Sequence, residues 1–117
     1  MKFIANKNAV EVLNLNNAIA LRFEPQERKR QGRINLKVRS LTSKVKATNQ
    51  TEVNRRIVSE NYTEVSFNIS RQELNDFGIT SVKAGKYLLK EFGAGYFELL
   101  PANVLELKPN DAVITVR

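Results

Sequence analysis

YTEVSFNISRQELNDFG, residues 62–78, joins a strand pattern to a helix pattern, and this junction decides the predicted fold. Apolar and polar residues alternate from Ile57 onward, as in a strand with one buried face. The predicted buried side holds Ile57, Val65, Phe67 and Ile69, and the predicted solvent side holds Glu60, Tyr62 and Glu64. Residues 70–73 (SRQE) form a capping-box pattern, and Gly78 is placed to end a helix. The stretch therefore predicts a strand followed by a short helix over 71–77.

Two apolar-rich runs near the start of the chain predict a β-hairpin. Residues 10–15 and 18–23 flank Asn16-Asn17, and asparagine tolerates the positive φ of a two-residue primed turn. The register set by this turn places Glu11 opposite Arg22, a favourable pair of opposite charges. The face predicted to be buried holds Val10, Val12, Ile19, Leu21 and Phe23.

The remaining elements are predicted from alternation and from turn residues. One strand has Ile34, Leu36 and Val38 facing inward and Asn35, Lys37 and Arg39 facing outward. Residues 43–56 are polar and predict a mobile β-ribbon or long loop, while 81–92 fit either a helix or a strand. Short strands are predicted at 96–100, 103–107 and 112–116, with breaks at the prolines between them.

This layout predicts one mainly β domain over residues 1–117. Several short strands with one capped helix favour a small closed barrel of about five strands, similar to the OB-fold. In that fold a helix usually lies between the third and fourth strands, which is where the predicted helix falls. An SH3-like barrel and a β-sandwich are the competing architectures.

The composition argues against an enzyme. The chain has no histidine and no cysteine, so it lacks the usual general base and the commonest metal ligands. Carboxylates are scattered singly, and Gly93-Ala94-Gly95 lacks the third glycine of a dinucleotide-binding motif. We predict no catalytic residue, cofactor or metal. No apolar run has the length of a membrane span or signal peptide, which predicts a cytoplasmic protein with no membrane partner.

Positive charge is concentrated in one segment. Residues 22–56 contain eleven Lys and Arg against three Glu, a net charge of +8, whereas the whole chain carries +7. A basic, strand-rich surface can follow a phosphate backbone, and a solvated face without a partner is the alternative. The predicted nucleic-acid-binding cations are Arg22, Arg28, Lys29, Arg30, Arg33, Lys37, Arg39, Lys44, Lys46, Arg55 and Arg56.

Two tyrosines are predicted to stack on bases, which sequence-tolerant binding of a single strand requires. Tyr62 points away from the Phe67 face of its strand, and Tyr87 lies among three lysines. Phe67, Phe77 and Phe92 fall on apolar faces and are predicted to be core residues.

Three segments carry a resemblance to a known family: MKFIAN at 1–6, RKRQGR at 28–33, and the helix region 70–77 after a strand. With this layout, nearly the whole chain resembles the small single-stranded DNA-binding proteins of bacteriophages, most of all those of lactococcal phages. The resemblance implies a role in phage DNA replication or recombination inside the infected host cell. It also implies a homo-oligomer, a dimer or tetramer, with recombination proteins as further partners.

Two other functions fit the same charge pattern. One is a duplex DNA- or RNA-binding accessory protein, and the other is a phage structural or assembly protein whose basic face meets an acidic subunit.

The cellular bacterial relatives of this family end in an acidic tail that recruits partners. This sequence ends AVITVR at 112–117, so recruitment by such a tail is not expected.

Overall fold

The structure, a computed structural model, describes residues 1–25, 34–43, 49–76, 78–79, 82–93 and 96–117. The elements are β1 (Lys2–Ala5), α1 (Lys7–Val12), β2 (Ala20–Pro25), β3 (Ile34–Leu41), β4 (Gln50–Glu52), β5 (Asn54–Ser59), β6 (Tyr62–Asn68), α2 (Arg71–Asp76), β7 (Gly85–Gly93), β8 (Tyr96–Pro101), a 3₁₀ turn (Val104–Glu106) and β9 (Val113–Val116). The predicted mainly β class is confirmed. Nine strands occur in the described residues, so the predicted number of about five is too low.

Hydrogen bonding arranges the strands in the order β4-β2-β3-β8-β7-β9-β1-β6-β5, and all neighbours are antiparallel. The two strands at the ends of this order, β4 and β5, are separated in the chain by Val53 alone. The Val53 amide donates to the Ile19 carbonyl at 3.0 Å. A single bent segment, residues 50–59, therefore forms both ends of the hydrogen-bonded order.

The core is built from the alternate residues that each strand turns inward. Phe3 of β1 stacks on Phe67 of β6, with ring centroids 5.2 Å apart and planes inclined by 10°. Phe23, Ile34 and Ile114 are fully buried in the same cluster. Burying a side chain of this size contributes about 1.5–3 kcal/mol. The inward side predicted for the strands at 34–39 and 65–69 is confirmed at the described core positions.

Helix α2 forms where the capping box predicted it. The Ser70 hydroxyl accepts from the Glu73 amide at 3.1 Å, and the Glu73 carboxylate accepts from the Ser70 amide at 3.3 Å. Gly78 has φ 73°, and the next amide, that of Ile79, donates back to the Leu74 carbonyl at 2.8 Å. Phe77, predicted as the last helical residue, lies outside the described residues.

The predicted hairpin over residues 10–23 is wrong, because α1 occupies its first half. The Asn6 side chain accepts from the Ala9 amide at 2.8 Å and caps the start of the helix. Asn14, with φ 53°, ends it, and the Leu15 amide donates to the Val10 carbonyl at 2.9 Å in a Schellman closure. Positive φ thus occurs at Asn14 rather than in the predicted Asn16-Asn17 turn. In consequence Val12 and Ile19, predicted to be buried, are exposed.

Other segments differ from prediction for local reasons. The ambiguous stretch 81–92 contributes to strand β7, and the segment 43–56 supplies β4 and the start of β5. Residues 103–107 form a 3₁₀ turn instead of a strand, since the Asn103 side chain accepts from the Leu105 amide at 3.1 Å. Ile57, predicted to be buried, is 81% exposed, because the β5–β6 ribbon extends past the core at this point. The strands predicted at 96–100 and 112–116 are confirmed as β8 and β9.

Candidate nucleic-acid interface

Two arginines face each other on the solvent side of the sheet. Arg22 of β2 lies directly opposite Arg39 of β3, and Gln50 of β4 lies opposite Arg22 on its other side. The residue after Arg22, Phe23, points into the core, so alternation turns the arginines outward. We call Gln50, Arg22 and Arg39 the basic row.

The electrostatics of the basic row are unfavourable for the protein alone. Like charges directly opposite each other across a sheet are destabilising, by an amount on the order of 0.2–1 kcal/mol. Neither Arg22 nor Arg39 forms an ion pair with any residue in the described ranges. The Nε atom of Arg22 is also sealed from solvent without a hydrogen bond inside the described part of the chain. A bound anion with several oxygens can accept hydrogen bonds from the guanidinium nitrogens that face solvent and offset the two positive charges.

A further cation extends this patch along β3. Lys37 lies two residues before Arg39, on the same face, and is half-buried. Its partner in the register is Glu24 of β2, which is exposed. The outer face of β2 and β3 thus holds three cations and one carboxylate, with the two arginines at its centre.

Arg55, predicted to bind nucleic acid, forms hydrogen bonds with a loop of the protein. Its guanidinium donates to the carbonyls of Leu15, Asn16 at 3.2 Å and Ala18 at 2.8 Å. These carbonyls belong to the loop between α1 and β2, which contributes buried Leu15 and Ala18 to the core. Arg55 sits on the inner side of β5 and is not part of the basic row, although the residue is exposed, so its contact with nucleic acid stays a prediction.

Arg56 forms an ion pair with Glu64. Glu64 was predicted to face solvent, and this prediction is wrong because its side chain is buried. Glu64 lies on the outer side of β6, yet its side chain is only 7% exposed between Arg56 of β5 and Lys2 of β1. Its carboxylate oxygens are 3.2 Å from Lys2 Nζ and 2.9 Å from Arg56 Nη2. The hydrogen bond from Lys2, and then the charges of Lys2 and Arg56, hold the pKa of Glu64 below its ordinary value despite its burial. This ion-pair triad joins three strands, and its two cations and one carboxylate leave a net charge of +1 beside the exposed Arg56 side chain.

The two predicted stacking tyrosines have opposite environments. Tyr62 is 49% exposed at the start of β6, as stacking on a base requires. Tyr87 is 6% exposed, and its hydroxyl donates to the Lys83 carbonyl at 2.7 Å. Its register partner is the fully buried Ile114, so Tyr87 faces the core and the prediction that it stacks on a base is wrong.

Tyr62 and the basic row are separate contacts. Tyr62 pairs with Ser59, nine residues along the bent segment from Gln50. At about 3.3 Å per residue, this segment spans at most about 30 Å. A chain molecule such as a nucleic-acid strand is long enough to reach both contacts.

Six of the predicted cations lie outside the described residues: Arg28, Lys29, Arg30, Arg33, Lys44 and Lys46. In the sequence they belong to the connections between β2 and β3 and between β3 and β4. Among the described cations, the predicted set comes together as Arg22, Lys37 and Arg39. Sequence reasoning missed Gln50 and the opposition of the two arginines, both of which depend on strand pairing.

No family model, curated protein or solved structure matches this chain. Within the described ranges, no group of three or more acidic side chains is placed to hold a metal ion. None of the helices in the described part of the chain is both long and apolar enough to cross a membrane.

Proposed function

We propose that this protein binds single-stranded DNA without sequence preference and acts in phage DNA replication or recombination. The observation that carries the proposal is the basic row, where two arginines face each other without a carboxylate counter-charge among the described residues. Phosphate oxygens of a passing DNA strand supply the missing acceptors and counter-charge. Because phosphates are the same at every nucleotide, such contacts are independent of sequence.

An exposed aromatic side chain supports a single strand over a duplex. Tyr62 offers a ring on which an unpaired base can stack, a contact worth about 1–3 kcal/mol per base. Bases of a duplex are already stacked within the helix, and ring stacking on them requires costly extrusion. A flexible single strand can also follow the bent segment from Gln50 towards Tyr62.

We extend the proposal to the architecture and infer a closed barrel of the OB-like kind. Support comes from the strand order, because its two end strands, β4 and β5, are joined through Val53. The bent segment 50–59 closes the order by continuing from one end strand into the other, while no described strand pairs with the outer side of β5 beyond Val53. Helix α2 after β6 agrees with a helix inserted midway through an OB-like chain.

Titration of the protein into fluorescein-labelled oligo-dT, followed by anisotropy, tests the function. We expect saturable binding that unlabelled single strands of mixed sequence displace and that duplex DNA of equal length displaces poorly. Equal or better competition by duplex DNA or RNA would identify an accessory protein instead. Absence of binding to every oligonucleotide at low salt would contradict the proposal and favour the assembly protein with an acidic partner.

A further inference from the structure

We infer that the outer edge of β5 pairs antiparallel with the same edge of a second copy, forming a two-fold symmetric dimer. β5 is the last strand of the hydrogen-bonded order, and no described strand pairs with its outer side. All six of its residues are exposed. The backbone groups on this side are a template for another extended strand.

The outer half of β5 also carries apolar side chains that point into solvent. Ile57 is 81% exposed and Val58 is 53% exposed. These neighbouring β-branched residues have high strand propensity, and covering them removes apolar surface from water. A second strand laid against this edge would cover both.

Unpaired cations on an edge strand usually prevent it from pairing with another strand, and β5 has little of this protection. Arg55 is turned inward onto three loop carbonyls, and Arg56 is paired with Glu64. The register shift between Ile57 and Ser59 is the one protective irregularity recorded in the β5–β6 pairing. Two copies of β5 can therefore approach without two unpaired arginines meeting.

The order of charges along the ribbon identifies a second copy as the occupant. Residues 55–60 read RRIVSE, basic at one end and acidic at the other. Antiparallel pairing centred on Val58 brings Arg56 of each copy towards Glu60, the turn residue that follows β5 in the other copy, so the same favourable contact forms twice. Glu60 is exposed and available for this contact. A nucleic acid has no row of amides and carbonyls to pair with a strand edge.

Sedimentation velocity of the full chain without DNA, up to about 100 µM, tests the inference, since weak dimers have dissociation constants in this range or below. We expect a dimer for the wild type. Val58→Lys should be monomeric, and Glu60→Lys should raise the dimer dissociation constant at least about tenfold, because it turns an opposite-charge contact into a like-charge one. Leu105→Lys is the matched control: Leu105 is 93% exposed outside the ribbon, and this variant should remain a dimer.

Circular dichroism must show that each variant keeps the wild-type melting profile. We expect this result because Val58, Glu60 and Leu105 are all exposed, so their substitution leaves the core unchanged. A monomeric wild type would overturn the inference, as would a Val58→Lys variant that still dimerises. A third overturning result is unchanged mass with weaker oligo-dT binding in Val58→Lys, which would make the ribbon a nucleic-acid contact. Because mass is measured without DNA, failure of the dimer is distinguishable from failure of the proposed function.

Discussion

Replacing Arg39 with glutamine is expected to make the fold more stable and the complex with DNA weaker. Arg39 is exposed and lies directly opposite Arg22, with no ion pair to either arginine among the described residues. Opposed like charges cost about 0.2–1 kcal/mol, and Arg39→Gln should raise the unfolding free energy by about this amount. If Arg39 instead stabilised the fold, Arg39→Gln would lower the unfolding free energy.

The same substitution should weaken DNA binding. A hydrogen bond to a charged group contributes about 1.5–3 kcal/mol, so the dissociation constant should rise by about tenfold or more. Urea denaturation gives the unfolding free energy, and anisotropy with oligo-dT in the same buffer gives the dissociation constant. Lys108→Gln is the control, because it removes an equal charge from an exposed site with no ion pair to a described residue. It should change stability by less than about 0.5 kcal/mol.

Two results would refute this reasoning. One is a less stable Arg39→Gln variant, which would mean that Arg39 stabilises the fold through contacts of its own. The other is oligo-dT affinity equal to that of the Lys108→Gln control, which would mean that the loss of any single positive charge has the same effect.

Three further predictions concern the core, the ion-pair triad and the stacking residue. Phe67→Ala should lower the unfolding free energy by about 3–5 kcal/mol, measured by urea denaturation, because Phe67 is buried against Phe3. The pKa of Glu64 is lower in the folded protein than its ordinary value of 4.5 in the unfolded chain. The ionised Glu64 therefore stabilises the fold fully above pH 4.5, and this stabilisation is lost as the pH falls through the pKa of the folded state. Acid should therefore destabilise the wild type more than Glu64→Gln, and parallel pH profiles would contradict this. Tyr62→Ala should cost about 1–3 kcal/mol of oligo-dT binding with the melting temperature retained; unchanged affinity would exclude stacking.

Local sequence patterns predicted the elements whose determinants are close in sequence. Helix α2 forms because Ser70 and Glu73 satisfy each other's amides within one turn, and Gly78 ends it. Helix α1 was missed although a comparable signal exists, since Asn6 caps the amide of Ala9 three residues on. Alternation between Val10 and Val12 masked the helical spacing of Ala9, Val10 and Leu13, which form the buried face.

Most of the candidate site depends on contacts that no local pattern contains. Arg22 was predicted to face Glu11, yet strand pairing places Arg39 opposite it and so changes the sign of that interaction. Glu64 is a polar residue on the outward side of β6. It is buried because Lys2 of β1 and Arg56 of β5 lie against it. The positive charge of residues 22–56 is evident from the sequence, while strand pairing decides which of the described cations lie opposite each other.

The salt dependence of oligo-dT binding tests the central claim, phosphate neutralisation by the basic row, most directly. If the two arginines of the basic row and about two to four further cations of residues 22–56 contact phosphates, a plot of log K against log salt should have a slope of roughly −3 to −4, since each single-strand contact contributes about −0.7. The double variant Arg22→Gln, Arg39→Gln should have a slope shallower by about 1.4. A wild-type slope near zero, or an unchanged slope in the double variant, would contradict the account.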